Sequence, residues 1–213
     1  MPRTLEPSAR APHEPPVPVA LSSLERDALL ELARAALAAA VGTAPERAVR
    51  DALARHPEVD RRAAAFVTLT EDGELRGCVG HMDASARVTE SVVEAATWAA
   101  LEDPRFATVH ATELPRLHLE VSVLGPLVRL DRPGDWEPGI DGIVVEGSGR
   151  RGLLLPEVAA MLDMDRTAML DTCCRKAGLP AKAWQEPWTT LYAFRTDRFG
   201  GPAVPAAQEP DRG

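Results

Sequence analysis

The sequence predicts an α+β fold in which helices flank a mainly antiparallel sheet. Three observations carry this. Capped, apolar-periodic stretches of helical length come first. The run "LHLEVSVL", residues 117–124, alternates cleanly between apolar and polar side chains. Strand-like runs arrive as close pairs separated by glycine-containing turns, so neighbours in sequence pair antiparallel rather than through crossovers.

Residues 1–20, "MPRTLEPSARAPHEPPVPVA", are proline-rich with no apolar period, and are expected to be disordered, as is the tail 200–213. The folded domain is expected over 21–199. In "SSLERDALLELARAALAAAVG", Ser22 and Glu25 form a capping box and Gly42 supplies the stop. "TAPERAVRDALARHP" repeats the device with Thr43 and Glu46, with Pro45 in the first turn. "AAAFVTLT", the turn "EDGE" and "LRGCVG" read as a hairpin. A third helix spans about Val88 to Leu101 and ends before "EDPRF". In "LHLEVSVL", Leu117, Leu119, Val121 and Val123 face one way while His118, Glu120 and Ser122 face the other, toward solvent. "GIVVEG" and "GLLLP" form another strand pair. Short helices follow around Glu157–Leu162 and Arg166–Ala177, with Gly178 as a stop, and "TTLYAFRTDRF" makes one last strand.

Within this order "GSGRRG", Gly147 to Gly152, matches GxGxxG literally. A dinucleotide site needs a helix after the glycines. Here the apolar run "LLLP" follows, so the glycines belong to a hairpin connection.

The 213 residues suffice for a core without disulfides or a structural metal. A net charge of −8 argues against a nucleic-acid partner, because phosphate binding needs a basic surplus; the adjacent Arg150 and Arg151 are the one feature in its favour. The five histidines form no HExxH, and Cys78, Cys173 and Cys174 form no CxxC, so no metal or cofactor is expected. Sparse, odd cysteines fit a reducing compartment. With no apolar run of about 18 residues and no leader, the expected location is cytoplasmic, without membrane contact.

The stretch "LRGCVG" carries the chemistry. Strict alternation would put Arg76, Cys78 and Gly80 on one strand face, successive residues about 6–7 Å apart, and Leu75, Gly77 and Val79 on the other. A guanidinium beside a thiol favours the thiolate, and the bare Gly80 leaves room for approach. His81 follows as a candidate base or thiolate partner. The bland alternatives are a small buried cysteine, glycines that mark only a bend, and a solvated histidine. Glu120 lies in a polar row able to line a cleft, and Arg105 after "EDP" either binds an anion or pairs with an acid. Cys174 belongs to the core.

"LRGCVG", "EDPRF", "LHLEVSVL", "DGIVVEGSGRRGLLLPEVA", "CRKAGLP" followed by "AW", and "LYAFRTDRF", in this order, resemble the AMMECR domain family, whose prokaryotic members are often called AmmeMemoRadiSam system protein A. The resemblance spans about Leu24 to Phe199. It implies a compact α+β domain of two subdomains sharing a cleft. It also implies two partners, a Memo-like protein and a radical S-adenosylmethionine protein. The chain has no CxxxCxxC, so radical chemistry would belong to the partner. The family motif falls on Leu75, Arg76, Gly77, Cys78, Val79 and Gly80; where members tend to carry a small hydroxyl residue next, this chain has His81.

Two functions follow as expectations. One is an enzyme or catalytic subunit, with Cys78 as nucleophile, Arg76 stabilising the thiolate, and His81 or Glu120 moving protons. Gly77, Gly80, Arg105 and Arg151 would then contact a small-molecule or protein substrate. The other is a non-catalytic subunit that binds a substrate or docks the partner enzymes.

Overall fold

The structure, a computed structural model, describes residues 16–205 apart from 58, 60 and 83. Most of the two segments expected to be disordered therefore lies outside the described residues. The chain divides into two compact units, Pro18–Gly125 with Thr196–Gly213, and Pro126–Arg195 with Met1–Val17.

The larger unit is a four-stranded antiparallel sheet with helices on one face. α1 (Ser23–Ala40) starts with the expected capping box, Ser22 Oγ accepting from the Glu25 amide while Glu25 accepts from the Ser22 amide. α2 (Arg47–Arg55) departs from expectation, because no side chain caps it. Thr43 instead donates to the Ala38 carbonyl, satisfying the C-terminal end of α1. The same carbonyl also accepts the Thr43 and Ala44 amides, so the hydroxyl joins the closure of α1 rather than the start of the next helix.

The strands β1 (Ala65–Glu71), β2 (Glu74–Gly80), β3 (Leu117–Leu124) and β8 (Thr196–Pro202) run in the order β2-β1-β3-β8. Asp72 and Gly73, both at positive φ, close the β1–β2 hairpin as a two-residue turn. α3 (Val88–Leu101) has the expected bounds and packs on β1 and β2, while α1 packs on α3 and β3. Val67, Leu69, Leu119, Val121, Leu29, Leu32 and Val92 are fully buried between helices and sheet.

The register corrects one expectation. Thr70 pairs with Leu75 but Leu69 pairs with Gly77, so Arg76 is an inserted bulge residue. Alternation fails there: Leu75, not Arg76, keeps step with Cys78 and Gly80. Gly77 faces α3, where an added Cβ would stand 2.2 Å from the Ala99 carbonyl oxygen. The helix thus lies against bare strand backbone.

The smaller unit is a second antiparallel sheet, order β4-β7-β5-β6, built from β4 (Val128–Arg129), β5 (Gly142–Gly147), β6 (Arg150–Leu154) and β7 (Thr190–Phe194). Its helices are α4 (Val158–Met161) and α5 (Arg166–Lys176), the latter stopped by Gly178 at positive φ. "GSGRRG" is a hairpin connection as expected, turning at Ser148 and Gly149, both at positive φ. Cys173 and Cys174 are fully buried on α5.

The segment "TTLYAFRTDRF" is two strands, not one. β7 ends at Phe194 and pairs in the smaller unit's sheet, while β8 begins at Thr196 and pairs with β3. Arg195 separates them, its Nε donating to the buried Asp141 at 2.9 Å. Alternation carries no record of a change of partner strand. β8 also continues to Pro202, three residues into the expected tail. Among the described residues, no helix is long and apolar enough to cross a membrane.

Candidate functional site

Cys78 sits on the edge strand β2, on the sheet face away from the helices, and is half-buried. Register places it beside Thr68, Thr68 beside Glu120, and Glu120 beside Gly200, one row across all four strands. The Thr68 hydroxyl donates to the Cys78 sulfur at 3.3 Å. This contact follows from the pairing. The Cys78 amide and carbonyl both bond away from β1, so Thr68 and Cys78 form a pair without mutual backbone bonds, in which side chains approach most closely.

Those outward backbone groups are taken up by the "EDPRF" loop. The Cys78 amide donates to Asp103 Oδ2 at 2.8 Å, and Arg105 donates to the Cys78 carbonyl at 3.3 Å. Asp103 also accepts from the Arg105 amide at 3.1 Å and from its guanidinium at 2.9 and 2.7 Å. Two side chains thus cover the exposed backbone edge as an added strand would. Asp103 has a side chain only 3% exposed. The Arg105 hydrogen bonds, opposed by burial and helped by the Cys78 and Arg105 amides, hold its carboxyl down at about 2.

Arg105 is the cation bonded to the Cys78 peptide group. Its guanidinium is raised above its ordinary value, first by the Asp103 hydrogen bonds and also by the charge of Cys78. Its side chain remains 54% exposed, so of the two expected roles, acid pairing is present and the guanidinium still reaches solvent.

Arg76 has another job. Its guanidinium bonds Glu113 at 2.7 and 3.2 Å and the carbonyls of Ala107 and Thr108 at 2.8 and 3.3 Å. It fastens the 107–113 segment to β2. The bulge is the reason the expected pairing with Cys78 gives way.

His81 also differs from expectation. It follows Gly80 on the helix side, where its Nε2 lies 3.7 Å from Glu94 and its ring meets Trp98 edge-on at 6.2 Å, both residues on α3. Its Nδ1 is buried without a hydrogen-bond partner. The space expected at Gly80 is taken by a neighbour, since an added Cβ would stand 2.6 Å from Phe66 Cγ. Gly77 faces α3. Arg151 lies in the smaller unit on β6, with its Nε 2.9 Å from Glu146.

Glu120 stays in the row with Cys78. Its carboxylate receives Arg198 Nε at 2.5 Å and is 18% exposed. Ser122, next on that face, is 1% exposed and its hydroxyl lacks a hydrogen-bond partner. The polar face of β3 is therefore not simply solvated. Among the described residues, no group of three or more His, Cys, Asp or Glu side chains could hold a metal.

Thr68, Asp103, Glu113 and Arg198 escaped the sequence reading. Alternation in "FVTLT" could have put Thr68 on the polar face, and Asp103 lies two residues from the noticed Arg105. Glu113 and Arg198 come from 37 residues after Arg76 and from the last strand, with no local signal.

Comparison with known proteins agrees with this architecture. The AMMECR1 family model matches residues 30–199. A protein of Methanothermobacter thermautotrophicus is 40% identical over 150 residues, covering 67% of this chain and 78% of its own. One of Aeropyrum pernix is 38% identical over 196 residues, covering 88% and 83%. The crystal structure of uncharacterized protein PH0010 from Pyrococcus horikoshii superposes with a TM-score of 0.75 at 31% identity, over 87% of this chain and 96% of that one. The chain belongs to the AMMECR1 family.

Proposed function

We propose that the protein is an enzyme, or the catalytic subunit of one, that works through the Cys78 thiol. The observation that carries this is the surroundings of the sulfur: half-buried on a sheet face, bonded by the Thr68 hydroxyl, with the Asp103-anchored Arg105 held against its own peptide group. A hydroxyl donor and a nearby guanidinium both favour the thiolate, the nucleophilic form. Cys78 attacks an electrophilic centre of the substrate, Arg105 receives an anionic group, and Glu120, adjacent in the row, exchanges protons once Arg198 shifts. His81, Arg76 and Gly77 support the strand rather than the reaction.

The substrate is a small molecule or a protein segment handled with a Memo-like protein and a radical S-adenosylmethionine protein in the cytoplasm, the radical step belonging to the partner. A second reading, a subunit that binds or docks without making bonds, is favoured by one observation. Two carboxylates near the thiol are already paired with arginines: Asp103 with Arg105, Glu120 with Arg198.

Iodoacetamide distinguishes the two. Cys78 is expected to alkylate near neutral pH faster than a free peptide thiol, while Cys173 and Cys174 stay unlabelled in the folded protein. Labelling of Cys78 no faster than the peptide leaves the binding reading.

A further inference from the structure

On the opposite, helical face of the larger unit's sheet lies a cavity of about 350 Å³ between α1 and the end of β8. Its walls are mostly apolar, with Leu37, Ala38, Leu114, Ala203 and Val204 among them. Arg34 reaches into the same space. A volume of this size falls at the lower end of small-molecule sites, which combine apolar walls with one or two polar anchors.

Arg34 is out of place in the protein's other charge pairings. It is half-buried, yet among the described residues its one hydrogen bond is from Nε to the Pro202 carbonyl, at 3.0 Å. Among the described residues, no carboxylate stands within ion-pair distance of it. Several other arginines in the unit meet acids directly: Arg26 with Asp197, Arg55 with Glu31, Arg76 with Glu113, Arg105 with Asp103. Burial pulls the Arg34 guanidinium below its ordinary value, only partly offset by the charge of Asp27. Glu31, also in the wall, is engaged by Arg55 and His56, which hold its carboxyl below the usual range.

The strand makes room for this cation. Gly201 faces the helices, paired with Leu119, and a Cβ there would stand 2.8 Å from an Arg34 terminal nitrogen. The guanidinium lies across bare backbone, with Nε occupied and, among the described residues, no acceptor on its two terminal nitrogens. The fork opens toward the groove, and an arginine fork matches a carboxylate in two parallel hydrogen bonds.

We infer that this cavity binds an aliphatic carboxylate, its chain lying among Leu37, Leu114 and Val204 and its head group on the terminal nitrogens of Arg34. The site is on the face away from Cys78 and stands independently of the thiol chemistry.

The test is a titration of the full chain with octanoate, followed by amide chemical shifts, with 1-octanol and acetate as controls. Octanoate is expected to shift Leu114, Ala203 and Val204, with acetate and octanol each binding at least about tenfold more weakly, since each lacks one half of the recognition. Arg34→Met is expected to weaken octanoate by about tenfold or more while leaving octanol unchanged. Should that variant unfold, Val204→Glu serves instead: its exposed position tolerates the change, and the new carboxylate should repel octanoate but not octanol. Cys78→Ala is expected to bind octanoate normally. Equal shifts with octanoate and octanol, or none at millimolar octanoate, would overturn the proposal. So would binding that emerges only after residues 206–213 are removed, which would make the chain's own end the occupant.

Discussion

Cys78 differs from the chain's two other cysteines in its surroundings. Burial pushes the Cys173 thiol up to about 12 and raises Cys174 as well, so neither supplies thiolate at neutral pH. Cys78 has a hydroxyl donor and an anchored guanidinium. Asp103 ties this arrangement together, and its ionisation gives a pH test. Its carboxyl is held at about 2 against an ordinary 3.8. A depressed value means the folded state binds the proton less tightly. The stabilisation is fully present above about pH 4 and is lost as pH falls toward about 2. Since Arg105 is half exposed, the contribution is discounted to about 1–2 kcal/mol. Asp103→Asn is expected to lose that amount at pH 7 by urea unfolding, with the gap from wild type closing as the pH is lowered through this window. At this scale the sequence expected Arg76 beside the Cys78 thiol, and the structure puts it elsewhere. "LRGCVG" put Arg76 two residues away, but nothing local records that Arg76 is a bulge residue facing Glu113.

The elements were more legible, because caps and periods are local. The Ser22–Glu25 box, the 117–124 alternation and the Asp72–Gly73 turn all stand where the sequence put them. Ser22→Ala is expected to cost about 1 kcal/mol of thermal or urea stability. What failed at this scale was non-local: the uncapped start of α2, and the division of 190–202 between two sheets. β2 and α3 meet at Gly77, where the intruding atom would be a backbone oxygen rather than a flexible side chain. Gly77→Ala is therefore expected to destabilise by at least about 1–3 kcal/mol, the cost of overpacking. Moving β2 off the helix should also displace Cys78, so the variant's thiol reactivity should change even where it remains folded.

For the whole molecule, connectivity matters more than length. The smaller unit is inserted between two strand ends of the larger one, and those ends are neighbours: Leu124 of β3 pairs with Thr196 of β8. Each unit has its own buried apolar cluster. Replacing residues 126–195 with a two-residue Asn-Gly turn should leave a chain that unfolds cooperatively, keeps Cys78 beside Thr68, and retains the Arg34 cavity. Loss of cooperative melting in that variant would mean the larger unit depends on the insert. The sequence suggested a division into two subdomains chiefly through family resemblance, since Gly125–Pro126 at the first crossing reads as an ordinary turn and Arg195–Thr196 at the second carries no punctuation.

The central claim is that Arg105, rather than Arg76, sustains the Cys78 thiolate. The pH dependence of Cys78 alkylation in wild type, Arg105→Ala and Arg76→Ala tests it most directly. The expected result is a profile midpoint that moves to higher pH in Arg105→Ala and stays close to wild type in Arg76→Ala. A midpoint unmoved by Arg105→Ala, or moved more by Arg76→Ala, would contradict it.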